Sequence, residues 1–303
     1  MTLFGPVIPP DAFALTDAGA TFVRVTRGER PGIAALRHFE FSGEAFRLGA
    51  IGTPVFAPDA FSGIVGAARR AVGGGLRRAS VVFPDAWART MTLDFDLLPP
   101  GRKERAEMVQ WKVKKLLPGK LDDLEVTFAE IPKAGEGARL LVSATPRETL
   151  RSAEAAFAAS GVRVGLLQPA TLALFNGLDR RLAAAASGDY VLLHRSRGAS
   201  SFLIARGGHP LFYRQKSTAV DPVDDVQEIR LSLSYYAESF GEGPAPAVFV
   251  LDEGGAEAAY PDLESFSPRP LDAAMLRADE TLALHARAHP EALAAAAAAW
   301  ENL

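Results

Sequence analysis

The chain opens the same way twice. Phe13–Val25 reads as strand, tight turn, strand, with the turn at Asp17-Ala18-Gly19-Ala20-Thr21, and Arg37–Phe46 supplies a third strand. Past the midpoint, Tyr190–Leu193, a turn at His194–Ala199, Ser200–Arg206 and Pro210–Gln215 repeat that order. A helix and a further strand follow in each half: Asp59–Val72 and Ala79–Phe83 in the first, Asp221–Phe240 and Ala247–Leu251 in the second. Phe61, Ile64, Val65, Ala68 and Val72 recur at helical spacing, and Gly73-Gly74-Gly75 ends that helix. This spacing predicts two α/β units.

Between the two openings lies a different pattern. Thr90–Leu98 alternates Met91, Leu93, Phe95 and Leu97 with polar residues, as a half-buried strand does. A helix is expected over Arg102–Leu117, strands over Leu124–Ile131 and Arg139–Ala144, and a helix over Pro146–Ser160 with Gly161 at its C-cap. Val162–Gln168 reads as a strand and Ala170–Ala186 as a helix. A last helix, over Pro290–Trp300, is nearly all alanine.

Composition removes several functions. With no cysteine, disulfides, thiolate zinc sites and cysteine nucleophiles are excluded. A net charge of −3 gives no bulk electrostatic case for nucleic acid. No stretch reaches the roughly 18 apolar residues of a membrane helix, so a membrane is expected to be met only through partners. The N-terminal sequence lacks the basic and apolar regions of a signal peptide. No Walker loop, HExxH or dinucleotide fingerprint occurs.

Four stretches, in order, resemble the PilM family, actin-like proteins of type IV pilus assembly related to the cytoplasmic part of GspL. They are Phe13–Val25, Val109–Pro118, Ala144 through Leu174, and Tyr190 through Tyr213 to Tyr236. The resemblance implies a duplicated actin-like (RNase H-like) two-lobe α/β fold with a small α+β subdomain inserted in the first lobe. Residues 1–92 and 165–188 would form the first lobe, 93–164 the insertion and 189–303 the second lobe. It further implies a cytoplasmic scaffold, peripheral at the inner membrane, that binds the N-terminal cytoplasmic tail of a PilN-like membrane protein and supports the pilus motor ATPase. The tail would lie beside the insertion, at Trp111, Lys112, Lys115 and Leu117. Family members commonly hold ATP and Mg²⁺ between the lobes.

A phosphate needs exposed backbone N–H groups, and magnesium needs a carboxylate. In the first turn Asp17 would face a hydrated Mg²⁺, Gly19 and Ala20 keep the backbone open, Thr21 offers a hydroxyl and Arg24 reaches a phosphate. An ordinary hairpin turn explains the same residues. In the second turn His194-Arg195-Ser196 stands where the resemblance implies Asp-apolar-Gly, so direct Mg²⁺ coordination should fail there, and Gly198 and Ser200 remain in a solvated basic turn. Gly254 and Gly255 would form an adenosine-side turn, beside the acids Asp252 and Glu253. The expectation is a degenerate nucleotide site, with no cofactor, or ATP and Mg²⁺ if the cleft functions. An active actin-fold ATPase and a GspL-like secretion component are the alternatives, the second disfavoured by the lack of a C-terminal membrane helix.

The basic helix from Arg102 to Lys115 reads either as a surface for anionic lipid or an acidic partner or as an ordinary solvated face, and the second is favoured. His285 and His289 have zinc-like spacing, but no third ligand stands nearby and Pro290 ends any shared helix, so chance spacing is expected.

Overall fold

A computed structural model describes residues 8–26, 32–41, 45–48, 54–117, 123–133, 135–196, 198–217, 225–240, 246–253, 261–271 and 280–300. The chain begins with an antiparallel meander, β1 (Asp11–Leu15), β2 (Gly19–Thr26) and β3 (Gly32–Glu40). A hairpin, β4 (Phe46–Leu48) and β5 (Pro54–Phe56), leads to α1 (Pro58–Ala71) and β6 (Arg78–Phe83). After a 3-10 turn at Asp85–Trp87 come β7 (Arg89–Phe95), α2 (Arg102–Leu116), β8 (Leu124–Ile131) and β9 (Ala138–Pro146). Next are α3 (Arg147–Ala159), β10 (Arg163–Pro169) and α4 (Ala170–Ala186). The second half holds β11 (Tyr190–Ser196), β12 (Ala199–Arg206), β13 (His209–Ser217), α5 (Asp225–Phe240), β14 (Ala247–Asp252), β15 (Arg269–Pro270), α6 (Glu280–Ala288) and α7 (Ala292–Trp300).

The duplication is visible in the sheets. The first runs β10-β6-β1-β2-β3 and the second β13-β12-β11-β14-β15. In each, an antiparallel meander is extended by two strands parallel to its first. The third strand of the first meander begins at Gly32 rather than at Arg37, as the sequence had indicated, so it pairs along the whole length of β2. On the outer face of the first sheet, α1 buries Phe61, Ile64, Val65 and Ala68 against Phe13 and Phe22 of the meander. That face follows from the i, i+3, i+4, i+7 spacing, and Gly73 and Gly74 stop the helix in left-handed conformation.

The insertion is a three-stranded antiparallel sheet, β7-β9-β8, closed by α2. It has its own core of Leu93, Phe95, Val109, Val113, Leu140 and Val142. Helix α3 does not belong to it. Ala153, Ala156 and Phe157 join the core of the first sheet, where Phe157 meets the ring of Phe13 edge-on at 5.1 Å. The three strands and α2 of this sheet lie within residues 89–146.

Two helices fill the space between the five-stranded sheets. α4 packs against β11 and β12 of the second sheet and against β6 and β10 of the first, while α7 packs against β1, β2 and β6. They cross at Gly177, where an added Cβ would lie 2.5 Å from the carbonyl oxygen of Ala297. The alanine run makes this possible: all nine residues of α7 are buried, and small side chains let backbones approach. The sequence had placed this helix with the second lobe. Its contacts put it on the first sheet.

Candidate functional site

The strand register aligns the two halves residue by residue. Ala14 pairs with Thr21 in the first meander, and His194 pairs with Ser201 in the second. The turns match in detail: Thr16 Oγ1 donates to Gly19 O at 3.3 Å, and Ser196 Oγ donates to Ala199 O at 3.3 Å. His194 therefore corresponds to Ala14, not to Asp17. The turn carboxylate read in the sequence is three residues out of step with its supposed partner, and neither half carries an acid at the end of its first strand.

His194 is not in a solvated turn. It lies within β11, fully buried, and the reason is its polar surroundings. Its Nδ1 is 2.9 Å from Asp85 Oδ2 and 3.0 Å from Thr171 Oγ1, and its Nε2 is 3.0 Å from Glu253 Oε1. Asp85 is equally buried and accepts from the Thr171 amide at 3.1 Å, the Thr171 hydroxyl at 2.5 Å and the Ser201 hydroxyl at 2.8 Å. Burial alone pushes the imidazole pKa down, but the Glu253 and Asp85 carboxylates outweigh it and raise it to about 10. Burial likewise pushes Asp85 up, and hydrogen bonds and charge from His194, with those from Thr171, hold it below its ordinary value. The node is thus an imidazolium between two acids at neutral pH.

The other nucleotide candidates are dispersed. Asp17 is exposed at the turn tip. Gly19 backs on to His38, and a Cβ there would meet Phe39 O at 2.5 Å, so close packing accounts for this glycine without a phosphate. Ala20, Thr21 and Ser200 are buried strand residues. Arg24 is four register pairs beyond the turn, where its Nε and Nη2 donate to Asp11 at 2.5 and 2.7 Å. That bidentate pair commits the guanidinium and corrects the expectation that it reaches a phosphate. Gly198 keeps a left-handed backbone at its turn, φ +89°. Gly254 and Gly255 lie outside the described residues.

A groove of about 640 Å³ lies beside the insertion, between β7 and β13, the outer strands of their sheets. Phe212, Tyr235, Leu117, Arg89, Thr92 and Arg214 line it, with the Phe212 and Tyr235 rings 4.9 Å apart. Of the four groove residues expected from sequence, only Leu117 is there. Trp111 is 58% exposed on α2 with Lys115 Nζ 3.7 Å over its ring, and Lys112 lies over Phe95. None of those three lines the groove, and α2 turns its Val109 and Val113 stripe to the insertion core. The aromatics that do line it sit on β13 and α5. Groove and node are joined by Gln215, which accepts from the Thr90 amide at 3.2 Å and donates to Asp85 O at 2.6 Å.

No described protein family and no curated protein matches the sequence. Solved structures do. One, described as the PilM-PilN type IV pilus biogenesis complex, aligns over 97% of this chain and 98% of that one, with a TM-score of 0.76 and 17% identity. A protein of unknown function from Bacteroides thetaiotaomicron, described as having the actin-like ATPase fold, aligns over 86% of this chain and 90% of its own, with a TM-score of 0.50 and 9% identity. The chain has the actin-like fold. The cytoplasmic domain of EpsL, an inner-membrane component of the type II secretion system of Vibrio cholerae, aligns with a TM-score of 0.47 and 12% identity, over 80% of this chain and 81% of that one. In this chain α4 and α7 are the helices that cross between the two five-stranded sheets. Among the described residues no helix is long and apolar enough to cross a membrane.

Proposed function

We propose that this chain is a PilM-like scaffold of a type IV pilus or related secretion platform, cytoplasmic and peripheral at the inner membrane. It binds the short cytoplasmic tail of a PilN-like membrane protein beside the pilus motor ATPase, and its nucleotide site is degenerate. The lobes, on this reading, are the two five-stranded sheets with their helices, and residues 89–146 are the insertion.

The observation that carries the reading is the groove between β7 and β13. Its volume suits several side chains of an extended peptide. Two outer strands supply backbone groups for strand addition, the Phe212–Tyr235 pair takes an apolar side chain, and Arg89 and Arg214 favour an acidic neighbour. The likeness to a PilM-PilN complex supplies the class of partner. The node at His194 supports the degenerate site, because an internal cation there competes with any metal-bound triphosphate.

Fluorescence anisotropy with labelled N-terminal tails of pilus membrane proteins tests the docking. Binding that weakens at least tenfold in Tyr235→Ala supports it, and no binding to any such tail removes it. Calorimetric titration with ATP and Mg²⁺ tests the cleft. Tight binding that disappears in Asp17→Ala would restore the active-ATPase alternative.

A further inference from the structure

The first half of the molecule carries a second polar node, unrelated to the groove. β3 presents His38, and the turn into α7 presents His289 and Glu291. One ligand atom from each lies within 4.8 Å of the other two, and this is the one such group among the described residues. Glu291 Oε1 is 3.3 Å from His38 Nδ1 and 3.6 Å from His289 Nδ1. Donors about 2.0–2.2 Å from a tetrahedral zinc ion are separated by about 3.3–3.6 Å, and both separations from Glu291 fall in that range. His285, which the sequence paired with His289, instead contacts the Thr281 carbonyl on α6.

We infer that His38, His289 and Glu291 bind a zinc-class divalent transition-metal ion through two imidazoles and a carboxylate. The fourth position is open to water, since the His289 side chain is 31% exposed and that of His38 18%. The carboxylate is 8% exposed and held by Thr21, whose hydroxyl donates to Glu291 Oε1 at 2.6 Å and contacts His38 Nδ1 at 2.9 Å. That is outer-shell support for the ligating carboxylate, and the Thr21 contact with Nδ1 gives way when that nitrogen takes the metal. The turn is fixed by its backbone: His289 N donates to His285 O at 2.8 Å, and Ala292 N donates to His289 O at 3.0 Å. The two rings are stacked with centroids 3.7 Å apart, so in-plane coordination by both requires His289, the more exposed ring, to rotate out of the stack. Two nitrogen donors select against magnesium and calcium.

The test is calorimetric titration of the chelator-treated full chain with ZnCl₂, with MgCl₂ as control and visible spectroscopy after Co²⁺ addition. One zinc per chain, no magnesium and a tetrahedral cobalt spectrum are expected. His289→Ala and Glu291→Gln should abolish binding, and Thr21→Val should weaken it by roughly 10–100-fold, the cost of an outer-shell partner. His289 is partly exposed, so circular dichroism of its variant should match the parent and keep the comparison clean. No stoichiometric zinc binding, or binding unchanged in His289→Ala and Glu291→Gln, overturns the proposal. Neither result bears on whether the groove takes a peptide.

Discussion

His194 Nδ1 and Asp85 Oδ2 lie 2.9 Å apart with both side chains sealed from solvent, joining the first strand of the second sheet to the turn that follows β6 of the first. Removing one partner of such a pair strands the other charge and costs about 3–5 kcal/mol. His194→Gln is expected to lose that much in urea denaturation. A loss under about 1 kcal/mol would show that the pair is not charged.

The same pair sets a pH dependence. The folded imidazole is raised to about 10 from 6.5, so its contribution is complete below pH 6.5 and is lost as pH climbs towards 10. Stability of the parent protein should fall by up to about 1.4 kcal/mol per pH unit across that interval from this group. Asp85, held low, adds stability above its ordinary value of 3.8 that is lost as pH falls. In His194→Gln the decline between pH 6.5 and 10 should flatten, and denaturation midpoints at pH 6.5, 8 and 9.5 measure it.

Replacing the cation by an anion is a sharper challenge. His194→Asp sets a third carboxylate beside Asp85 and Glu253, and like charges in one buried site repel. The variant should melt well below the parent, and millimolar Mg²⁺ or Ca²⁺ should raise its Tm while leaving that of the parent unchanged. Equal responses of the two proteins would refute the idea that the imidazolium stands in a cation's place.

Gln215 bonds Thr90 N on one side and Asp85 O on the other. Gln215→Ala leaves an amide and a carbonyl short of partners, at about 1–3 kcal/mol for each that stays dry. Hydrogen exchange at the Thr90 amide should accelerate while amides in β12 stay protected. Unchanged exchange at Thr90 would mean that the insertion is held to β13 by other contacts.

The helix crossing predicts a steric penalty. Gly177→Ala places a methyl group against the Ala297 backbone, which cannot yield as a flexible side chain does. Overpacking of this kind costs about 1–3 kcal/mol. Gly66→Ala on α1, where the nearest neighbour is an Arg70 side-chain atom at 3.6 Å, is the control and should be neutral or stabilising. Thermal melts of the two variants give the comparison.

The architecture was legible because it is written locally. Strands alternate, α1 carries its Phe61-Ile64-Val65-Ala68 stripe, and glycines mark the turns. The position of α7 was not, since a run of alanines has no polar face to show which sheet it meets. The site was hardest to read. Arg195 and Ser196 make His194 look like part of an exposed turn, whereas its partners Asp85, Thr171 and Glu253 come from distant segments. Asp17 drew attention because Asp and Gly are common in turns, and only the register of β1 against β2 shows that it does not match His194. The sequence paired His289 with His285 and gave no sign of His38, because β3 and the α7 turn meet only in the folded chain.

The return of α7 to the first sheet also fixes an order of events at the ribosome. β1, β2 and β6 leave the exit tunnel well before the helix that covers them, because the whole second sheet is made in between. The first sheet is therefore covered only after the second is available to fold. Until α7 has emerged, the inner faces of Ala12, Ala14, Val23 and Val82 have no lid, and this is the surface a nascent-chain chaperone would meet.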